Sequence, residues 1–150
     1  MTDSDFRNTY SIVGICAIDN QVSPLLCTFA QGINDAKNFT IQVKGVLNAG
    51  WLLRHDILVA DNSAIHMGKE NVVLEEWLWE YHHVYMLFLP ARAPELNPTD
   101  LIWNILVQRL KIVDLCALRQ HGRGVVHAAV SILNKTTHQE VDNCYRHCGK

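Results

Sequence analysis

The sequence predicts an α/β domain in which a mixed sheet is flanked by helices, and three patterns carry that prediction. Two apolar runs near the start are separated only by a short polar break. Further on, short continuous apolar runs of strand length alternate with stretches whose apolar residues recur at helical spacing. An Asn-Pro pair then opens a long amphipathic segment. Strands and helices in such alternation build a layered α/β structure with parallel strands.

Taken in order, Tyr10 to Ile18 is apolar and β-branched, Asp19-Asn20-Gln21 is polar, and Val22 to Phe29 is apolar again. That is the pattern of a β-hairpin. Pro24 puts its second strand at an edge or bulges it there, because proline has no N–H for a ladder. Asn34 to Asn48 carries Phe39, Val43, Val46 and Leu47 at helical spacing, and Asn48-Ala49-Gly50 is its stop. Ile57-Leu58-Val59-Ala60 reads as a strand covered on both faces. Glu70 to Tyr81 is a helix with Val73, Leu74, Trp77, Leu78 and Tyr81 on one stripe. Val84 to Leu89 is a second buried strand, and Pro90 to Pro98 is a loop with three prolines. Asn97 caps and Pro98 opens the next helix, whose stripe is Leu101, Ile102, Ile105, Leu106, Leu110 and Val113. Gly122 and Gly124 mark a break, and Val125 to Asn134 and Gln139 to His147 are closing helices. Residues 1–9 form a polar start and 114–150 the C-terminal helical part of one domain spanning 1–150.

A chain of 150 residues with half its residues apolar can bury a core as one domain. No stretch is apolar enough to span a membrane, and the polar start is not a signal peptide. A cytoplasmic protein, or a nuclear one in a eukaryote, is the expectation, and secretion is not. The net charge of −2 is unlike that of an autonomous DNA-binding domain, so any grip on DNA must come from a local basic patch or another segment. The eight histidines raise the charge below neutral pH. Five cysteines without a secretion signal argue against a disulfide framework. Cys144, His147 and Cys148 lack an evident second pair of zinc ligands and read as free thiols and a histidine near a helical tail. There is no Gly-rich phosphate loop and no Gly-x-Ser-x-Gly elbow, which removes support for a metabolic α/β enzyme.

Two acids stand out. Asp61 directly follows the run 57–60, and ligands of open α/β sheets collect at the carboxyl ends of strands. Asp61-Asn62-Ser63 also suits an ordinary strand exit. Asp100 lies in the first turn of the helix after Pro98, where an acid also complements the helix dipole. What separates the pair from two unrelated acids is the company each keeps. Asp61 is followed by Asn62 and His66; Asp100 is preceded by Leu89-Pro90, Ala93-Pro94 and Leu96-Asn97-Pro98 and followed by Trp103.

These blocks resemble the catalytic domain of DDE/D transposases of the Tc1/mariner and IS630 group, an RNase H-like fold. The resemblance covers roughly residues 10 to 149, including the closing Tyr145-Arg146-His147-Cys148-Gly149. It implies DNA cleavage and strand transfer at transposon ends, with two divalent ions about 4 Å apart activating the attacking oxygen and stabilising the leaving one. Such hard ions, Mg²⁺ or Mn²⁺, are held by carboxylates. By resemblance Asp61 is the second acid of the triad and Asp100 the third, with Asp the mariner-like choice at that place. Asn62 and His66 orient Asp61 or touch the DNA backbone, or are a turn amide and a loop histidine. Arg92 contacts phosphate or is a solvated surface residue, and Asn97 supports the site or contacts DNA. Trp103, three residues after Asp100, reads as core packing. A homodimer is a further expectation.

The resemblance is incomplete at one point. Tyr10 to Ile18 matches the family's second strand, and the first central strand with its acid is not evident; Asp3, Asp5 and Asp19 do not fill the role. The expectation is therefore either a part of a longer transposase or a non-catalytic transposon-derived remnant that binds DNA or protein.

Overall fold

The computed structural model describes residues 10–18, 23–32, 34–61, 68–113 and 124–149. They fall into two compact units, one formed by residues 34–94 and one by the segments before and after it. The architecture is the mixed α/β one that the sequence predicts.

In the discontinuous unit, β1 (Tyr10–Cys16) and β2 (Leu25–Gln31) pair antiparallel, with Gly14 opposite Cys27 and Cys16 opposite Leu25. Pro24 lies just before β2, opposite Ala17, whose N–H donates to the Pro24 carbonyl at 3.1 Å; proline has no N–H to return that bond, and the strand begins at Leu25. Helices α3 (Pro98–Leu110), α4 (Gly124–Asn134) and α5 (His138–Cys148) complete this unit. Its core joins Leu25 of β2 to Ile102 and Leu106 of α3, Ala129 and Leu133 of α4, and Val141 and Cys144 of α5. Period-two alternation puts Ile12, Cys16, Leu25 and Cys27 on one face of the hairpin, and all four pack into that core. Trp103 also packs there. Its indole lies so close over β1 that a Cβ at Gly14 would stand 3.0 Å from the ring, so this strand position admits glycine with little room to spare. Phe29 meets His127 of α4 edge to face at 6.3 Å.

The 34–94 unit begins with α1 (Ala36–Asn48), capped by Asp35, whose carboxylate accepts from Asn38 N–H at 2.8 Å. Gly50, at φ +77°, takes the left-handed turn that ends it. β3 (Ile57–Ala60) and β4 (Tyr85–Phe88) pair in parallel, Ile57 with Tyr85 and Ala60 with Phe88. A parallel pair needs a crossover, and α2 (Lys69–Trp77) supplies its helix. The last turn of that crossover, Leu78–His82, is π-helical and ends at His83 in a left-handed conformation, φ +53°. Lys44 of α1 lies over the Trp77 ring at 5.0 Å, which ties α1 to α2.

Two expectations for this unit are corrected. β3 and β4 are covered on one face only: Leu58, Ala60 and Met86 are buried, whereas Ile57 is 61 % and Tyr85 52 % exposed. A two-stranded parallel ribbon has a second face, and nothing among the described residues buries it. The crossover's buried row is Asn71, Leu74 and Leu78, while Val73 and Tyr81 are exposed. The π-helical turn inserts an extra residue per turn and rotates Tyr81 off the stripe that a regular helix would give it. No helix among the described residues is long and apolar enough to cross a membrane.

Candidate active site

Asp61 follows β3 immediately and is exposed. The ladder runs up to it, since Leu89 N–H donates to the Ala60 carbonyl at 2.9 Å. Its carboxylate therefore leaves the carboxyl end of a hydrogen-bonded parallel strand, where side chains are anchored by the sheet yet open to a ligand. Asn62 and His66 lie outside the described residues. Arg92, in the loop after β4, is exposed and has a left-handed backbone, φ +58°. Both Asp61 and Arg92 belong to the 34–94 unit.

Asp100 belongs to the other unit and is half-buried in the first turn of α3. That turn forms as predicted. The Asn97 side chain accepts from Thr99 N–H at 3.2 Å, and Pro98 occupies the first helical position. Asp100 N–H donates to the Asn97 carbonyl at 3.1 Å. Asn97 thus stands at the start of the helix that carries Asp100, with its side-chain oxygen engaged as the cap.

Around this turn the structure gathers residues that sequence reasoning did not single out. The Tyr145 hydroxyl, on α5, donates to the Cys16 carbonyl at the end of β1, 3.0 Å away. The Cys16 thiol donates back to that hydroxyl at 3.6 Å, and Cys16 Sγ lies 3.6 Å from Thr99 Oγ1. With the thiol proton directed to Tyr145, the Thr99 hydroxyl is the donor to the sulfur. Burial, helped by the neighbouring Cys16, pushes the Tyr145 phenol well above its ordinary value, so it remains a proton donor. Burial and then Cys16 also push the Cys27 thiol up to about 11. The Cys148 thiol is raised by burial first and then by the Asp100 carboxylate, which places the last turn of α5 within the field of Asp100. At the far end, Arg109 of α3 pairs with Glu140 of α5. Residues 99–100 thus face 145–148 while 109 faces 140, so α3 and α5 run antiparallel.

The donor chemistry of Asp61 and Asp100, carboxylate oxygen, suits a hard divalent ion. Among the described residues no group of three or more His, Cys, Asp or Glu side chains is arranged to hold a metal. Cys144 and Cys148 take part in no disulfide.

Comparison with known proteins bears on this arrangement in one way. No curated protein and no solved structure matches the chain. A protein family described as DDE superfamily endonuclease matches residues 7–114. The match takes in β1 through α3 and both acids, and α4 and α5 lie beyond it. With well over half of its length matched, the chain belongs to the DDE superfamily endonuclease family, whose domains are RNase H-like.

Proposed function

We propose that this chain carries two of the three catalytic acids of a transposase of the Tc1/mariner–IS630 kind, which cuts DNA at transposon ends and joins the freed 3′ end to a new site. The observation that supports this most is the position of the two acids. Asp61 stands at the carboxyl end of a parallel strand and Asp100 in the first turn of an Asn-Pro-capped helix, and both fall inside the family match. Asp61 and Asp100 would hold the metal, Mg²⁺ or Mn²⁺. When bound, such ions lower the barrier to phosphodiester attack by activating the attacking oxygen and stabilising the leaving one. The remaining work belongs to side chains of this protein. Asn97 caps the α3 terminus, in whose first turn the Asp100 carboxylate stands, a place where the helix dipole favours negative charge. Arg92 offers its guanidinium to a backbone phosphate, and Asn62 and His66 orient Asp61 or touch the same backbone. DNA is the partner, a homodimer is the assembly, and the nucleus or cytoplasm is the compartment where that partner is met.

The test is nicking of supercoiled plasmid by the full chain with Mg²⁺ or Mn²⁺. Asp61→Ala and Asp100→Ala should each lower the rate on the order of a thousandfold, since a lost metal contact is worth several kcal/mol of transition-state stabilisation. Equal rates in wild type and both variants would refute the proposal. The non-catalytic reading predicts no metal-dependent cutting at all.

A further inference from the structure

We infer that Tyr145, in the C-terminal helix, is a positioning residue for Asp100: through Cys16 and Thr99 it fixes the turn from which that carboxylate reaches the metal. The inference rests on the reading of Asp100 as a metal ligand and extends it to a helix beyond the family match, which ends at residue 114.

The first turn of a helix is its least constrained part, because its N–H groups have no partners within the helix. Asn97 satisfies one of these groups from within the same segment. A local cap sets the helix start but does not tie it to the rest of the fold. The tie comes from two sides. On one, the Trp103 indole lies against Gly14 of β1, which fixes the second turn of α3 on the hairpin. On the other, the Thr99 hydroxyl meets Cys16 Sγ, and Tyr145 grips Cys16 by both its carbonyl and its thiol. Tyr145 is what α5 contributes to this chain of contacts. Thr99 is the residue immediately before Asp100. Displacing the Cys16–Thr99 contact therefore rotates or loosens the backbone from which the Asp100 side chain departs.

Carboxylate–metal binding is sensitive to such loosening, because residues that orient a metal ligand commonly matter about ten- to a hundredfold to metal affinity. Tyr145 acts at one further remove, through a single neutral hydrogen bond. The loss of such a bond corresponds to roughly a fivefold change in an equilibrium constant.

The experiment uses the full chain and Mn²⁺ alone as the probe, with free ion read from its electron paramagnetic resonance signal. Hydrogen exchange is followed in the same samples. In Tyr145→Phe, the ring and its packing remain and only the hydroxyl is lost. Mn²⁺ affinity should fall about fivefold, and amide exchange should rise across residues 97–103 but not across 105–110. Thr99→Val cuts the same chain at its other end and should reproduce both effects; it carries the test if Tyr145→Phe fails to fold. Asp100→Asn should weaken Mn²⁺ binding more than either. If Asp100→Asn weakens binding while Tyr145→Phe and Thr99→Val leave affinity and exchange unchanged, the positioning role is overturned and the metal reading stands. If Asp100→Asn binds Mn²⁺ as well as wild type, the metal reading itself fails and the inference with it.

Discussion

Arg92 shows how a single residue separates the demands of folding from those of function. Its φ of +58° lies in the left-handed region, which costs a residue with a Cβ about 1 kcal/mol relative to glycine. Arg92→Gly removes that cost, partly offset by the greater freedom of glycine in the unfolded chain. The expected result is a gain of up to about 0.5 kcal/mol in stability, read as a higher denaturant midpoint. If Arg92 meets a phosphate as proposed, the same variant binds DNA more weakly although it is more stable. A loss of stability would show instead that its side chain holds the loop. At this scale the sequence was informative wherever the signal is local. Asp61 could be read from the strand it ends, and Asp100 from the Asn97-Pro98 start of its helix. The Tyr145–Cys16 bond could not be, because its partners stand 129 residues apart and neither belongs to a recognisable pattern. The closing Tyr145 to Gly149 was visible only as a family-like ending, with no hint of what its tyrosine touches.

Among the elements, α5 has the most explicit termini. Thr137 caps it with its hydroxyl, which accepts from Glu140 N–H at 3.2 Å, while the Glu140 carboxylate accepts from Thr137 N–H at 2.9 Å. This reciprocal box satisfies two N–H groups that a helix start leaves open. The Thr137 amide first, and Arg109 as well, hold the Glu140 carboxyl below its ordinary value of 4.5, against the opposing effect of partial burial. A lowered pKa means that the folded chain favours the ionised form. The stability it contributes is fully present above about pH 4.5 and is lost as pH falls through the lowered value. Glu140→Gln keeps a capping acceptor but loses the charge beside Arg109 and the helix start, and should therefore lower Tm by a few degrees at pH 7, the effect of losing up to about 1 kcal/mol. The gap between variant and wild type should close in thermal scans taken towards pH 3; a gap that stays constant with pH would rule out this origin. The element pattern of the sequence was legible for the same local reasons. Every α-helix and strand described was expected within a few residues, whereas the 3-10 turn Pro94–Leu96 lies in the stretch read as a loop. What periodicity could not show was the π-helical turn at Leu78–His82, which a sequence of helix-forming residues does not announce. Nor could it show that Ile57 and Tyr85 remain exposed, because a continuous apolar run looks the same whether one face or both are covered.

For the whole molecule, the decisive quantity is charge. Thirteen Lys and Arg stand against fifteen Asp and Glu, a net charge of −2. A DNA endonuclease must nevertheless approach a polyanion, and each phosphate it neutralises steepens the salt dependence of binding by about 0.9 in log K against log salt. With no net positive charge to draw on, the chain can engage only a few phosphates through local cations such as Arg92. Two or three such contacts predict that raising salt from 50 to 200 mM weakens binding by roughly 12- to 40-fold, against 10³ or more for proteins that make six to ten. Affinity at physiological salt should lie in the range of non-specific binders, with Kd of about 10⁻⁴–10⁻⁶ M. Fluorescence anisotropy of a labelled duplex across a salt series measures both quantities. Nanomolar affinity with a steep salt slope would mean that a basic face is concentrated on one side of the protein despite its overall balance. A shallow slope with weak affinity would mean that recognition of the transposon end is not supplied by these residues. Cleavage would then depend on holding the DNA long enough for Asp61 and Asp100 to act, so added DNA affinity should raise the nicking rate at low DNA concentration and leave the rate at saturation unchanged.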